Sequence, residues 1–178
     1  MAIKFGAIYL VRINEMMQDL TKENYQFLLE VSYEMEAAAV NIVRIAKQKT
    51  SKDMGVLARG ITYVKKSLFN FEVISASQYS AFAEFGTKKE AANYVTTLPS
   101  EFQQFANTFK GIKINSGGLT LAQSIEQWGA RRGLERADIH GVYLKILHKG
   151  RNPHPFLIPA YLEETQKLET RLNTLFNK

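Results

Sequence analysis

The sequence predicts an α+β fold: a long N-terminal helix and a C-terminal helix packed on a small antiparallel β-sheet, with a helical insertion. Three observations lead there. Apolar residues recur at steps of three and four from Lys22 to Lys49. The period then changes to two between Ile61 and Ala76. A last periodic stretch, Phe156 to Phe176, carries proline in its first turn, where a helix tolerates it. There is no internal repeat and no low-complexity tract, so 1–178 reads as a single domain in which 88–152 forms a largely helical insertion.

Taken in order, Ile3 to Leu10 alternates weakly and admits either a short strand or the start of a helix. Within the long helix, Tyr25, Leu28, Ser32, Met35, Ala39, Ile42 and Ala46 make one stripe that needs a sheet or another helix to cover it. Thr21 is placed to cap its first turn, Glu23 suits its positive end, and Lys47 and Lys49 suit its negative end. Ser51-Lys52-Asp53-Met54-Gly55 breaks the pattern. Ile61-Thr62-Tyr63-Val64 then has the β-branched and aromatic character of a strand, and Phe71, Val73 and Ser75 alternate against Glu72, Ile74 and Ala76. Two antiparallel strands with a turn at Asn70 follow from this.

Gln78 to Phe85 is aromatic and fits a helical turn or a strand. Lys88 to Phe109 is helical in pattern but broken at Pro99. Ser100 is placed to cap a new helix there, with Phe102, Phe105, Ala106 and Phe109 on one side. Asn115-Ser116-Gly117-Gly118 is a loop. Thr120 and Gln123 form a capping-box pair for a helix to Arg132, with Leu121, Ile125 and Trp128 as its stripe and Gly133 as its stop. Ala137 to Leu147 suits another helix, weakened by Gly141 by about 1 kcal/mol relative to Ala. Gly150 to Pro155 reads as extended, because a residue before proline avoids the helical region. In the final helix Tyr161, Leu168, Leu172 and Leu175 line one face.

Composition narrows the chemistry. Cysteine is absent, which excludes disulfides, thiolate metal sites and a cysteine nucleophile. The three histidines, His140, His148 and His154, have no zinc-site spacing. No phosphate-cradling loop, dinucleotide glycine fingerprint or Gly-x-Ser-x-Gly elbow occurs. Glu163 and Glu164 are adjacent, so they project at different angles from a helix and read as a solvated face. We therefore expect no catalytic residue, no cofactor and no metal, and a protein that is not an enzyme. Met1 to Leu20 does not read as a secretion signal, and no segment approaches the roughly 20 apolar residues that span a bilayer, so a soluble protein is expected.

The formal net charge is +6, and most of the excess lies between Phe105 and His154. There Lys110, Lys113, Arg131, Arg132, Arg136, Lys145, Lys149 and Arg151 face only Glu126, Glu135 and Asp138. Such a balance suits nucleic acid or acidic partners as well as a simply solvated surface. Arg131 and Arg132 beside Trp128 fit a phosphate or a stacked base, and equally fit a helix end that favours positive charge.

Three short segments carry the strongest signal. They are Asp53-Met54-Gly55-Val56-Leu57-Ala58-Arg59-Gly60-Ile61, Tyr79-Ser80-Ala81-Phe82-Ala83-Glu84-Phe85-Gly86-Thr87, and Pro155-Phe156-Leu157-Ile158-Pro159-Ala160. Gly55 and Gly86 can take positive φ, Asp53 can accept from backbone amides in its turn, and Pro155 and Pro159 fix φ at a helix entrance while Phe156 and Leu157 pack inward. Glu84 lies among Phe82, Ala83 and Phe85, where a carboxylate needs a partner such as Arg59, within the subunit or across an interface.

In their order and placement these segments resemble the neck, or tail-completion, family of tailed bacteriophages, whose members are head–tail connector and minor tail components. The family pattern is Asp-x-Gly-x-Leu before the first strand (here Asp53, Gly55 and Leu57), then Tyr-Ala-x-x-x-Glu-x-Gly-Thr (Glu84, Gly86 and Thr87), then Pro-Phe-Leu-x-Pro-Ala (Pro155, Phe156 and Pro159). The chain departs from it in the long stretch from Lys88 to His154 and in Gly60, where the family often has Ser. The resemblance implies a structural virion protein, assembled in the host cytoplasm, that forms a homo-oligomeric ring at the head–tail junction. It implies head-closure or connector proteins and tail terminator or tail tube proteins as neighbours, transient contact with genomic DNA in the channel, and no membrane. Arg131, Arg132 and Arg136 are then the candidates to face DNA or a partner ring. Phe102, Phe105 and Phe109 are candidates for exposed apolar residues that a neighbour buries.

Overall fold

The structure, a computed structural model, describes residues 2–5, 22–50, 55–77, 79–110 and 120–177. In chain order its elements are β1 (Ala2–Phe5), α1 (Lys22–Lys49), α2 (Val56–Arg59), β2 (Ile61–Ser67), β3 (Asn70–Ser75), α3 (Ser80–Phe85), α4 (Lys88–Val95), α5 (Ser100–Asn107), α6 (Leu121–Arg131), α7 (Arg136–His148) and α8 (Leu157–Phe176). The fold is α+β. Its Cα packing divides into two units, Met1–Ser80 with Pro155–Lys178, and Ala81–His154. Thr21, Asp53 and the Asn115–Gly118 loop lie outside the described residues.

The first unit is built on α1. Leu28, Val31, Met35, Ala38, Ala39, Ile42, Ile45 and Ala46 are buried along one side of it. Burial of each of the larger side chains contributes about 1.5–3 kcal/mol. Tyr25, expected at the head of this stripe, is instead 53% exposed. The cover at that turn falls one side over, where Phe176 at the end of α8 meets Phe27 edge-on with ring centroids 5.3 Å apart.

The sheet has the order β1-β3-β2, and both pairings are antiparallel. Of the ambiguous stretch from Ile3 to Leu10, the first three residues belong to the strand Ala2–Phe5, paired Ala2 to Ile74 through Phe5 to Phe71, and residues 6–10 lie outside the described residues. In β3 the alternation holds as read: Phe71, Val73 and Ser75 are buried. The turn, however, is Leu68–Phe69 and not Asn70, which already begins β3. Phe69 is drawn into the core at 7% exposure, and the buried Ser32 donates to the Leu68 carbonyl at 2.6 Å, so the turn is fixed from α1.

A polar seam joins α1 to α8. Arg171 Nη2 donates to Glu164 Oε1 at 2.9 Å, and its Nε donates to Glu34 Oε2 at 2.7 Å. Asn41 Nδ2 reaches the same Glu164 oxygen at 3.3 Å. Glu164 is 2% exposed, so the reading of Glu163 and Glu164 as one solvated face is corrected. Glu163 is the solvated one, held by Lys167 at 2.9 Å and Lys49 at 3.9 Å, which keeps its carboxyl below the ordinary range. Glu164 points between the helices, where an unpaired carboxylate would be costly.

The second unit holds α4 to α7 and the greater part of α3. Ser100 is the first helical residue of α5 rather than its cap. Pro99 caps the helix with extended ψ and no side-chain hydrogen bond. Pro99 suits that position because its missing N–H costs nothing there and its φ is fixed. Helix α6 has the expected capping box: Gln123 N donates to Thr120 Oγ1 at 3.3 Å and Thr120 N donates to Gln123 Oε1 at 2.8 Å. It ends at Gly133 (φ 67), where Leu134 N reaches Gly129 O and Gly133 N reaches Ala130 O, the paired bonds of a Schellman motif. Of its expected stripe, Ile125 is buried but Leu121 is 46% exposed. Among the described residues no helix is long and apolar enough to cross a membrane.

Candidate functional site

The middle motif forms a clasp in the second unit. Gly86 takes φ 75 and Gly150 takes φ 97, both in the region that disfavours side chains. A Cβ on Gly86 would lie 2.6 Å from the Arg151 carbonyl oxygen, and one on Gly150 would lie 2.0 Å from the Thr87 carbonyl oxygen. The two strands of chain therefore touch backbone to backbone. Thr87 N donates to Arg151 O at 3.0 Å, Arg151 N donates back to Thr87 Oγ1 at 2.8 Å, and His154 N donates to Ala83 O at 2.7 Å. Thr87 is the residue before α4, yet its hydroxyl serves this seam and makes no cap bond to the helix. Lys88 follows with φ 53, and its ammonium group meets the Leu147 carbonyl. The motif residues Gly86 and Thr87 thus join the two ends of the unit, and Gly150 to His154 supply the other half.

Glu84 lies one turn earlier and is fully buried. Its charge, after burial itself, helps to hold the Tyr94 phenol protonated and pushes its pKa up to about 12. Arg59 is exposed at the end of α2. Phe85 gathers the aromatic residues of the unit: its ring lies 6.2 Å from Phe105 and 6.1 Å from Phe109, which meet each other edge-on at 5.2 Å. Phe102 is 5% exposed. The expectation that Phe102, Phe105 and Phe109 stand out as an exposed apolar group is therefore corrected. Phe102 is buried, and the other two pack within their own unit on a side chain from α3.

In the first unit, Gly55 takes φ 62 as expected and Leu57 is buried, while Asp53 lies outside the described residues. Pro155 and Pro159 are half-buried at the entrance to α8. Phe156, Leu157 and Ala160 are fully buried and Ile158 nearly so, so the motif is a hydrophobic anchor.

The three arginines are brought together by the α6–α7 hairpin. Arg131 ends α6, Arg132 caps it, and Arg136 begins α7. All three are exposed, and the Arg132 guanidinium sits 5.4 Å from the centre of the Trp128 ring. The hairpin closes tightly because Gly129 admits Ile139: a Cβ there would come within 2.4 Å of it. Glu135 and Asp138 flank Arg136 along the chain, so the hairpin end is mixed in sign and not a uniform basic patch.

Two helices, one in each unit, leave apolar side chains exposed. Helix α7 carries Ile139, Val142, Tyr143, Leu144, Ile146 and Leu147, and none of its residues is buried. Leu144 and Leu147 are 38% and 39% exposed. On α1, Tyr25 at the first turn is 53% exposed, and Tyr33 and Val40, on the side away from the core stripe, are 64% and 46% exposed. The signal was present in α7: its apolar residues occupy more of the circumference than one neighbouring helix can cover. Among the described residues, no cluster of three His, Asp or Glu side chains is arranged to hold a metal ion.

No family model, curated protein or solved structure matches this chain. The likeness to phage neck proteins rests on the three motifs.

Proposed function

We propose that the chain is a structural subunit of the head–tail junction of a tailed phage or phage-like particle. Copies form a ring between the head-closing connector and the tail, extend or seal the DNA channel, and present a surface for tail attachment. The observation that carries this reading is what the motif residues do. Leu57, Gly86, Phe156 and Leu157 are buried in packing, and Thr87 serves a backbone seam. A motif spent on the scaffold is what a mechanical subunit requires, and the apolar residues left uncovered on α1 and α7 then have neighbours to meet.

The reading is tested by placing a peptide tag after Phe176 and labelling purified particles with gold-conjugated antibody. Label at the head–tail joint is the expected result, and label on capsid faces or tail fibres contradicts it. A second reading, sequence-independent DNA binding, draws on Arg132 over Trp128 with Arg131 and Arg136 nearby. It predicts that the isolated monomer binds duplex DNA with an affinity that falls steeply as salt rises.

A further inference from the structure

The two units are unequal in what they bury. Among the described residues, nineteen buried apolar side chains belong to the first unit and six to the second, a wider gap than length accounts for. The six are Ala81, Ala83, Phe85, Phe102, Ala106 and Ile125, and half of them are alanine. Helices α4 and α7 bury no residue at all. Burial of apolar surface is the main term opposing chain entropy, so the second unit has the smaller reserve of stability. Its clasp works in the other direction. Thr87 pairs with Arg151 and Ala83 with His154, so the start of the unit is bonded to its end. One short set of bonds therefore closes everything between Lys88 and Lys149. Lys88 holds φ 53 beside the seam, a left-handed backbone that a lysine keeps only while its surroundings hold it there.

We propose that residues 81–154 open and reclose as one unit while α1, the sheet and α8 stay folded, with the Thr87–Arg151 seam as the latch. The inference stands apart from the ring reading and needs no partner. Proteins open in contiguous cooperative units, each at its own free energy, and the unit with least buried apolar surface opens first. The seam decides how often. While it holds, both ends of the enclosed helices are fixed. Once it breaks, Lys88 is free to leave its left-handed conformation, and a thin core is left to resist opening.

The test is hydrogen exchange of the full chain at low urea, read by mass spectrometry of peptides under conditions where exchange reports the opening equilibrium. Peptides from α5, α6 and α7 are expected to share one urea dependence, with protection at least about tenfold below that of central α1 and β3. Thr87→Val removes the hydroxyl that accepts from Arg151 N and suits the extended backbone at that position (φ −139, ψ 158). It is expected to lower protection in α5 to α7 by about tenfold and to leave α1 and β3 unchanged. Arg171→Ala, in the seam between α1 and α8, is expected to do the reverse. Equal protection in the two units, unrelated rates among α5, α6 and α7, or either variant lowering protection equally in both units overturns the proposal. Unchanged protection of α5 to α7 in Thr87→Val removes the latch.

Discussion

At the scale of single residues, two glycines with similar φ have opposite surroundings. Gly133 has nothing within 4 Å of its missing Cβ, whereas at Gly150 that atom would overlap the Thr87 carbonyl. Gly133→Ala should cost about 1 kcal/mol, the left-handed penalty alone. Gly150→Ala should cost about 2–4 kcal/mol, because the seam must open as well. Denaturant unfolding followed by the fluorescence of Trp128, which lies in the same unit, checks both. Tyr94 provides a pH readout. Its folded pKa of about 12 lies above the ordinary value of 10.0, so the fold favours the neutral phenol. The associated stability is complete below pH 10 and is lost as pH rises through about 12. Ultraviolet titration should show late phenolate ionisation that Tyr94→Phe diminishes, with Tyr63, whose hydroxyl donates to Glu36, also titrating above the ordinary range. The positive φ at Gly55 and Gly86 was legible from the sequence, because turns after helical segments call for glycine. Gly150 was not, since its need comes from a carbonyl more than sixty residues away in the chain.

At the scale of elements, the α1–α8 seam makes the clearest prediction. Arg171→Ala leaves the buried Glu164 with Asn41 as its hydrogen-bond partner among the described residues, and should destabilise the first unit by about 1–3 kcal/mol. Glu163→Ala on the preceding position should leave stability nearly unchanged, since Glu163 is exposed and its ion pairs are solvated. Thermal unfolding followed by circular dichroism compares the two. Periodicity located the helices and the alternation of β3, because a three-to-four or two-residue repeat states which side is covered. It did not say what covers it. Glu163 and Glu164 look alike in the sequence, and only the positions of Glu34 and Asn41 on α1 separate them. Phe105 and Phe109, read as sharing one side, do meet each other. Their cover, Phe85, belongs to a segment whose pattern left helix and strand open.

At the scale of the whole molecule, the chain joins a hydrophobic scaffold to surfaces that a monomer leaves uncovered. The motifs marked the scaffold. The uncovered faces were less legible, because a helix that is apolar over most of its circumference looks like a buried one until its neighbours are known. If the hairpin end with Arg131, Arg132 and Arg136 faces DNA or an acidic ring, replacing all three with Gln should reduce head–tail joining or DNA retention while leaving the purified chain folded. Counts of infectious particles against total particles measure this. The central claim, a structural role at the junction, is tested most directly by electron microscopy of particles made without this chain. DNA-filled heads beside complete but unattached tails are expected. Joined, normal particles, or heads that fail to fill, would contradict it.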